Sequence, residues 1–434
     1  MTIGGDEPEE TNAPDHRGRH DGTDWRSLVL LLSGNVLFAT GLVVHAFLFN
    51  FYLRELQLSP AAMGHQVAAM TLGGLCALLP AGVVIDRVGT RAVLLAGVAV
   101  TFAGLSLTAI AREPVVIYAA AAVIGLGAAT CRVSWGPAIM RVTDAGTRAR
   151  AFTWNVALLI GSSAGWTYLS GALQGWSAHE GRGFVALSGT QLVLLAGAAV
   201  TAAASLCYAQ LRLPRDPPPA ATRASRSAMT VAPPRPVRVL IALVAFWMLA
   251  AALVLPFFNI YFADRFAMPV RSIGATFALA QLATALALAG AAELARRYGA
   301  RRMLLVWMAA LAPALLGLAF TDALWLAMML YVVQGVIAPA TNPLIDQLLL
   351  ERAPPDRHGV VAGWRNAAAE GAGALGASAA GRLLEAGTFP ALFTIAAGVA
   401  AASATLLSGA LRRAAMAEQG RARATLPQPF ERPV

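Results

Sequence analysis

Long apolar stretches separated by short polar loops run through almost the whole of this chain. Each stretch has the roughly 20 mainly apolar residues that a helix needs to cross a bilayer. A Pro-, Ser- and Arg-rich segment, residues 212–238, separates the first six stretches from the last six. The pattern predicts an all-α integral membrane protein with twelve transmembrane helices in two groups of six. The predicted segments, numbered one to twelve, are approximately residues 26–52, 60–84, 91–111, 114–140, 150–173, 184–211, 239–263, 270–295, 302–320, 323–350, 359–383 and 389–411.

The two groups of six segments repeat one another. Segment one ends in FLFNFYL and segment seven ends in FFNIYF, so Asn50 and Tyr52 correspond to Asn259 and Tyr261 at an offset of 209. Glycines in the loops after segments two and eight correspond at an offset of 210, and asparagines in segments five and eleven at 211. Agreement within two residues predicts a tandem six-helix repeat, an architecture in which transporters place their site between the halves.

Composition supports a membrane protein and argues against soluble classes. The chain of 434 residues is 57% hydrophobic and only 13% charged, whereas soluble proteins carry about 25% charged residues. Its net charge of +10 comes from arginines in short loops, so no nucleic-acid partner is expected. The three cysteines, Cys76, Cys131 and Cys207, lack metal-ligand spacing, and the chain has no nucleotide-binding loop motif. We therefore expect no metal and no cofactor.

The arginines predict how the chain is oriented. All 33 basic residues are arginines, and 25 of them lie in the tails and even-numbered loops. Two lie inside segments four and eleven, and six lie on the other side: Arg54, Arg112, Arg182, Arg265, Arg271 and Arg382. Because positive residues concentrate in cytoplasmic loops, both termini are expected in the cytoplasm, in a bacterial inner membrane. The predicted organisation is a disordered tail at 1–25, halves at 26–211 and 239–411 joined by the linker 212–238, and a tail at 412–434.

The loop after segment two carries the sequence GVVIDRVGTR, residues 82–91. It resembles the signature G-x-x-x-D-R-x-G-x-R that the major facilitator superfamily carries between its second and third helices. The matching residues are Gly82, Asp86, Arg87, Gly89 and Arg91. With the twelve segments and the central linker, the resemblance covers residues 26–411. It implies a secondary transporter with two pseudo-symmetric six-helix halves.

In that family the signature is a cytoplasmic latch. The resemblance implies that Asp86 faces the start of segment eleven, while Arg87 and Arg91 make charge-assisted bonds that close the cytoplasmic side. The alternative is ordinary loop chemistry of the positive-inside kind. The glycine-proline pattern of drug-proton antiporters would fall at residues 165–171, where Trp166 replaces the proline. The subfamily is therefore left open.

Three charged residues deep inside the membrane segments are singled out, Arg132, Arg365 and Glu370, because a charge at the centre of a span costs about 2.5–3.5 kcal/mol on insertion scales. Arg132 lies nine residues before Arg141, roughly 13 Å deep in segment four. With Trp135 on the same face, it is a candidate for binding an anionic or carboxylate solute. The alternative is a structural partner on a neighbouring helix.

Segment eleven contains Arg365, Asn366 and Glu370 as proton-coupling candidates. Five residues turn an α-helix by about 140°, so Arg365 and Glu370 point apart, whereas Asn366 and Glu370 share a face. Glu370 either pairs with a cation on another helix or is protonated, which would suit it to carry a proton. A static bond between the halves is the alternative.

Weaker candidates are single polar residues in long apolar runs. Asn35, Gln334 and Asn342 are candidate substrate-binding residues, although helix–helix hydrogen bonds, worth about 0.6 kcal/mol on average, explain such residues equally well. Asn50, Tyr52, Asn259 and Tyr261 are candidates for an external gate. The alternative for these four is an interfacial aromatic belt.

The sequence thus predicts a secondary active transporter that moves a small amphipathic, anionic or zwitterionic organic solute by alternating access, through proton-coupled efflux. A proton-coupled importer of an organic acid is the alternative, and a receptor or enzyme without transport is a remote one. No catalytic constellation accompanies the intramembrane histidines, so we do not expect an enzyme. The expected partners are the solute, a proton or other coupling ion and the bilayer, with the chain as a monomer.

Overall fold

The computed structural model describes residues 22–180, 187–213, 233–354 and 357–424. These residues are almost entirely helical. Most of the predicted N-terminal tail, most of the linker and the end of the C-terminal tail lie outside the described residues. The first half contains α1 (Trp25–Glu55), α2 (Pro60–Val88), α3 (Thr90–Ile110), α4 (Pro114–Val142), α5 (Ala145–Glu180) and α6 (Gly189–Ala209). The second half contains α7 (Arg235–Val254), α8 (Phe258–Phe266), α9 (Val270–Tyr298), α10 (Ala300–Phe320), α11 (Leu324–Glu351), α12 (His358–Ala386) and α13 (Phe389–Ala424).

Helices α7 and α8 form one span, predicted as segment seven, that is interrupted by a 3₁₀ turn at Leu255–Phe257. The turn contains Pro256, which has no N–H to donate and whose ring collides with the preceding helical turn. The interruption frees backbone carbonyls near the end of the span. Segment one, its counterpart, is continuous as α1.

Eleven spans in the described part of the chain are long and apolar enough to cross a membrane by length and composition. The remaining long helix is α12, which is rich in alanine and glycine and carries Arg365, Glu370, Arg382 and Glu385. It packs among the other helices as the predicted segment eleven. One boundary differs: α13 continues to Ala424, so residues 412–424 of the predicted tail extend the last helix.

The helices pack in the same way in both halves. In the first half the contacting pairs are α2–α4, α1–α6, α3–α4, α3–α6 and α1–α5. The corresponding pairs in the second half are α9–α11, α7–α13, α10–α11, α10–α13 and α7–α12. The predicted all-α fold of two pseudo-symmetric halves is confirmed.

The same turn joins the second and third spans of each half. Gly89 ends α2 and precedes α3 with φ of 89°, and Gly299 ends α9 and precedes α10 with φ of 86°. A side chain would strain this backbone region, which glycine adopts readily. The two glycines correspond at the offset of 210 found in the sequence.

The halves meet mainly near one face of the membrane. We call the face at which α1 begins and α13 ends the termini face, and the other the opposite face. The main contacts between the halves are α2–α12, α5–α9 and α1–α8. They include Gly64 against Ala377 and Gly171 against Gly274, all of which lie toward the opposite face. The protein is therefore closed at that face.

Within the first half, α2 and α4 cross at glycines. A Cβ atom on Gly125 would lie 1.7 Å from the carbonyl oxygen of Met70, and one on Gly73 would lie 2.0 Å from that of Ala122. Real Cβ atoms do not approach a carbonyl so closely, so any larger residue separates the helices. Small residues at such crossings allow membrane helices to gain van der Waals contact.

We expect Gly125→Ala to lower the free energy of unfolding by about 1–3 kcal/mol, because the methyl group overpacks a backbone contact. Thermal unfolding in detergent measures this. Gly398→Ala is the matched control, since a Cβ there meets no atom within 4 Å and alanine favours the helix. Equal unfolding temperatures for the two variants would contradict the close crossing of α2 and α4 at Gly125.

Candidate functional site

One ion pair inside the membrane joins the two halves. Arg132 projects from α4 in the first half, and its Nη2 atom lies 3.5 Å from Oε1 of Glu370 on α12 in the second half. Both side chains remain accessible, with exposed fractions of 54% for Arg132 and 30% for Glu370. Because Arg132 is half exposed roughly 13 Å deep and its partner lies on the other half, we infer that the space beside the pair is an aqueous one between the halves.

That space extends from the ion pair toward the termini face. Gly136 lies one turn beyond Arg132 on the same face of α4, and Gly363 lies two turns from Glu370 on the same face of α12. A Cβ atom at either glycine would meet no atom within 4 Å. Both glycines lie between the ion pair and the termini face, so the halves are separated there. The described structure is open at the termini face and closed at the opposite face.

Arg365 has different partners from Glu370, as their angular separation on the helix predicts. Its Nε atom lies 3.0 Å from Oδ1 of Asp346, and its Nη2 atom donates to Oδ1 of Asn342 at 3.0 Å. Its Nη1 atom donates to Oδ1 of Asn366 at 3.1 Å. Arg365 therefore ties α12 to α11 within the second half, and its side chain is only 14% exposed. Asn366 joins this network because Arg365 reaches it, whereas Glu370, one turn further along the face of Asn366, pairs with Arg132.

Sequence reasoning missed Asp346. This carboxylate lies inside predicted segment ten, and its side chain is 52% exposed although it pairs with Arg365. A signal for it was present, because Asn342 and Asp346 are four residues apart and so share a face of α11. Asn342 and Asp346 of segment ten thus form one network with Arg365 of segment eleven, which joins neighbouring helices.

Asn35 lies away from the ion pair, in the packed interior of the first half. It is 0% exposed, donates its Nδ2 to Oδ1 of Asn155 at 2.7 Å, and accepts a 2.8 Å hydrogen bond from the Tyr208 hydroxyl. It thereby links α1, α5 and α6. In this conformation Asn35 has no access to a solute.

The other predicted binding residues also differ in their surroundings. Trp135 is half-buried and packs edge-on against Phe38 with ring centroids 6.0 Å apart, so it joins the first-half core. Gln334 is 1% exposed, and its amide has no hydrogen-bond partner among the described residues. Asn342 belongs to the Arg365 network. None of the three contacts Arg132 or Glu370 through a hydrogen bond in the described part of the chain.

The signature loop lies at the termini face with Asp86, Arg87 and Arg91 exposed. In the described residues, no hydrogen bond or ion pair joins these three side chains to α12. The reason is geometric, since α2 and α12 meet toward the opposite face, where Gly64 packs on Ala377. Closure by this loop stays a prediction for conformations in which the termini face is shut.

The four predicted gate residues divide into two kinds. Nδ2 of Asn50 lies 3.1 Å from Oδ1 of Asn259, so the asparagines join the halves. The hydroxyl of Tyr52 donates to the carbonyl of Ala111 on the first-half side at 2.9 Å. The Tyr261 hydroxyl likewise donates at 2.7 Å to Leu318, within the second half. The tyrosines stabilise each half separately.

Two further features of the described residues do not form the site. A cavity of about 420 Å³ lies among α9, α10 and α11, but Leu288, Pro343 and other mostly apolar side chains line it, away from the ion pair. No group of three or more histidine, cysteine, aspartate or glutamate side chains in the described ranges is placed to hold a metal ion.

The chain is similar in sequence to one protein family and in fold to several solved structures. The model of the Major Facilitator Superfamily matches residues 31–262 and residues 240–431. A search of curated proteins gave no match. The nucleoside transporter NupG has a similar solved structure, with a TM-score of 0.71 and 13% identity over 89% of this chain and 98% of that one.

Two bacterial homologues of eukaryotic transporters are also similar. One, related to the iron transporter ferroportin and solved in an inward-facing state, has a TM-score of 0.72 and 16% identity over 89% of this chain and 98% of its own. The other, related to the lysosomal transporter Spinster and solved inward-facing and unoccupied, has a TM-score of 0.66 and 15% identity over 88% and 94%. At such identities the likeness concerns the fold.

We expect Arg132→Gln and Glu370→Gln each to change the free energy of unfolding by no more than about 1 kcal/mol, because the pair is long and water-accessible. Asn35→Leu should cost more, about 1–3 kcal/mol, since it leaves Asn155 and Tyr208 buried without their partner. Thermal unfolding of the three variants tests this ranking. If Arg132→Gln unfolded at a much lower temperature than Asn35→Leu, the ion pair would be a structural element instead.

Proposed function

The chain belongs to the major facilitator superfamily and is a secondary transporter rather than an enzyme, and we propose that its solute is a small organic anion or zwitterion that binds Arg132. The ion pair carries this proposal. Arg132 is held by Glu370 at 3.5 Å, longer than an optimal charge-assisted hydrogen bond, and half of its side chain faces the open space. A solute carboxylate is therefore able to reach the guanidinium and compete with Glu370.

Competition for Arg132 gives a mechanism of proton coupling. When a solute carboxylate binds the guanidinium, Glu370 loses its counter-charge inside the membrane. An unpaired charge there is costly, so Glu370 binds a proton. The solute and the proton are then bound at the same time, which is the condition for symport. Release of the solute restores the ion pair, and Glu370 gives up the proton.

The proposed direction of transport follows from the coupling, because solute and proton move together in this mechanism. The concentration of arginine in the even-numbered loops and the tails supports a cytoplasmic termini face, so the described conformation would be open to the cytoplasm. Two similar structures are of proteins in inward-facing states, which agrees with this orientation. A symporter driven by an inward proton gradient imports its solute. The geometry therefore favours the import of an organic acid over the efflux predicted from the sequence.

Efflux is the second candidate, and the accessibility of Glu370 favours it. The carboxylate is 30% exposed in the same space, so an amphipathic cation is able to pair with it in place of Arg132. Such a cation would compete with the proton for Glu370, which gives antiport instead of symport. The two candidates thus differ in whether solute binding takes up or releases a proton.

We expect carboxylate-bearing compounds to stabilise the purified protein and Arg132→Gln to abolish the effect. The probes are a monocarboxylate, a dicarboxylate, a zwitterionic amino acid and tetraphenylphosphonium. A ligand at about 100 times its Kd adds about 2.7 kcal/mol, which thermal unfolding detects. Arg112→Gln is the control, because this arginine is exposed in a loop at the opposite face. The assignment of Arg132 would be wrong if its variant responded to carboxylates as the parent does.

We expect carboxylate binding to take up about one proton per solute in the parent and none in Glu370→Gln. Titration calorimetry of the best carboxylate probe in buffers of different ionisation enthalpy measures the number of protons. Glu385→Gln, at the exposed end of the same helix, should keep the uptake of the parent. Proton uptake that persists in Glu370→Gln would show that Glu370 is not the proton-coupling residue. Proton release on binding tetraphenylphosphonium would instead support cation efflux.

A further inference from the structure

The closed opposite face contains a reciprocal pair of hydrogen bonds between the halves. Asn50 on α1 donates its Nδ2 to the carbonyl oxygen of Pro256 at 2.6 Å. Asn259 on α8 donates its Nδ2 to the carbonyl oxygen of Phe47 at 2.9 Å. Pro256 corresponds to Phe47 at the same offset of 209 that relates the asparagines. Each amide therefore binds the carbonyl three residues before the other asparagine.

The two amides also contact each other and are shielded from water. Nδ2 of Asn50 lies 3.1 Å from Oδ1 of Asn259, and the residues are 5% and 2% exposed. Separation of α1 from α8 breaks all of these bonds in one movement. Buried amides without partners are strongly disfavoured, so intermediate separations that admit no water are unfavourable. This geometry predicts a cooperative, two-state closure.

Close helix crossings on both sides hold α1 and α8 at this distance. Gly64 on α2 packs against Gly381 on α12, and Gly171 on α5 packs against Gly274 on α9. The two crossings are related by the repeat, because Gly64 corresponds to Gly274 and Gly171 to Gly381 at an offset of 210. A Cβ atom on Gly274 would lie 2.9 Å from the carbonyl of Thr167. Larger residues at these crossings would push the halves apart.

Two other polar contacts join the halves beside the asparagine pair. Gln281 on α9 donates its Nε2 to the Thr167 hydroxyl oxygen on α5 at 3.0 Å, in a part-buried hydrogen bond. Arg54 pairs with Asp264 across the halves at 2.7 Å, but the side chains are 43% and 40% exposed. Exposed ion pairs of this kind contribute little and are screened by salt. The asparagine bonds differ from both contacts because they are reciprocal and both of their side chains are buried.

We propose that Asn50 and Asn259 form a two-fold symmetric lock that sets the equilibrium between the described conformation and one open at the opposite face. Its importance for transport rests on the proposed function, but the lock itself is a property of the protein without solute. The 3₁₀ turn at Leu255–Phe257 contributes by interrupting the helix next to the Pro256 carbonyl. The tyrosines that follow the asparagines are not part of the lock, since their hydroxyls bond within their own halves.

Double electron–electron resonance measures the distance between two spin labels. Applied to the full chain in lipid nanodiscs, it tests the lock without any solute. Spin labels at Glu113 and Thr388 report the opposite face, because these exposed residues lie in loops of different halves. The background carries alanine in place of the three cysteines. We expect a dominant short distance in the parent. Asn50→Leu and Asn259→Leu should each raise the ratio of the long to the short distance about three- to tenfold, the range expected for buried hydrogen bonds between membrane helices.

The double variant separates a lock from two independent contacts. Because the two amides contact each other, we expect the loss of one asparagine to disrupt the bonds of the other as well. Asn50→Leu/Asn259→Leu then shifts the ratio no further than the larger single change, whereas bonds that do not depend on each other would multiply their effects. Tyr52→Phe and Tyr261→Phe are the controls, because each removes a buried hydrogen bond that does not cross the halves. Both controls should keep the distance distribution of the parent.

Gly274→Ala tests the same face if an asparagine variant does not fold, and it should also increase the long distance. The proposal is overturned if the asparagine variants, or Gly274→Ala in their place, keep the parent distribution. It is also overturned if the tyrosine variants shift the distribution as much, or if the double variant shows multiplied effects. The measurement needs no solute, so its outcome does not depend on whether Arg132 binds carboxylates.

Discussion

The structure depends on one constraint: a polar group inside a bilayer needs a protein partner or access to water. The constraint makes the spans helical, because a helix satisfies its own backbone groups. It also explains why Asn35 is fully paired with Asn155 and Tyr208, and why Arg365 is held by Asp346 and Asn342. Two polar contacts between the halves, Asn50–Asn259 and Arg132–Glu370, satisfy the same constraint in opposite ways.

Those two contacts differ in hydration. The Asn50–Asn259 pair is nearly inaccessible, so its hydrogen bonds have no competition from water. The Arg132–Glu370 pair is long and accessible, so solutes and protons are able to reach it. A dry contact between neutral amides suits a part that must close firmly. A hydrated contact between charges suits a part whose partners must exchange. The proposed alternating-access mechanism uses one contact of each kind, at different depths of the same interface.

The tandem repeat is visible in detail, but it is not used uniformly. Gly89 and Gly299 form the same turn, and the glycine crossings at the opposite face obey the same offset. The charged residues do not repeat in this way. Arg132 and Glu370 lie on non-equivalent spans, the fourth of one half and the fifth of the other, so their pairing is asymmetric. In this protein the repeat builds the closed interface, whereas departures from the repeat supply the candidate site.

The sequence by itself determined the twelve spans, the six-helix repeat and the depth of Arg132, because span length, offset and helical rise are local properties of the chain. It also separated Arg365 from Glu370 through their angle on one helix. It did not determine that Glu370 meets Arg132, that Asn50 meets Asn259 while Tyr52 does not cross the interface, or that Asn35 is buried. The burial of Asn35 depends on how the helices of the first half pack together, and the other outcomes depend on the placement of one half against the other. That placement is the sum of many contacts far apart in sequence, so only the tertiary structure decided which polar groups are shared, which are enclosed and which face the open space.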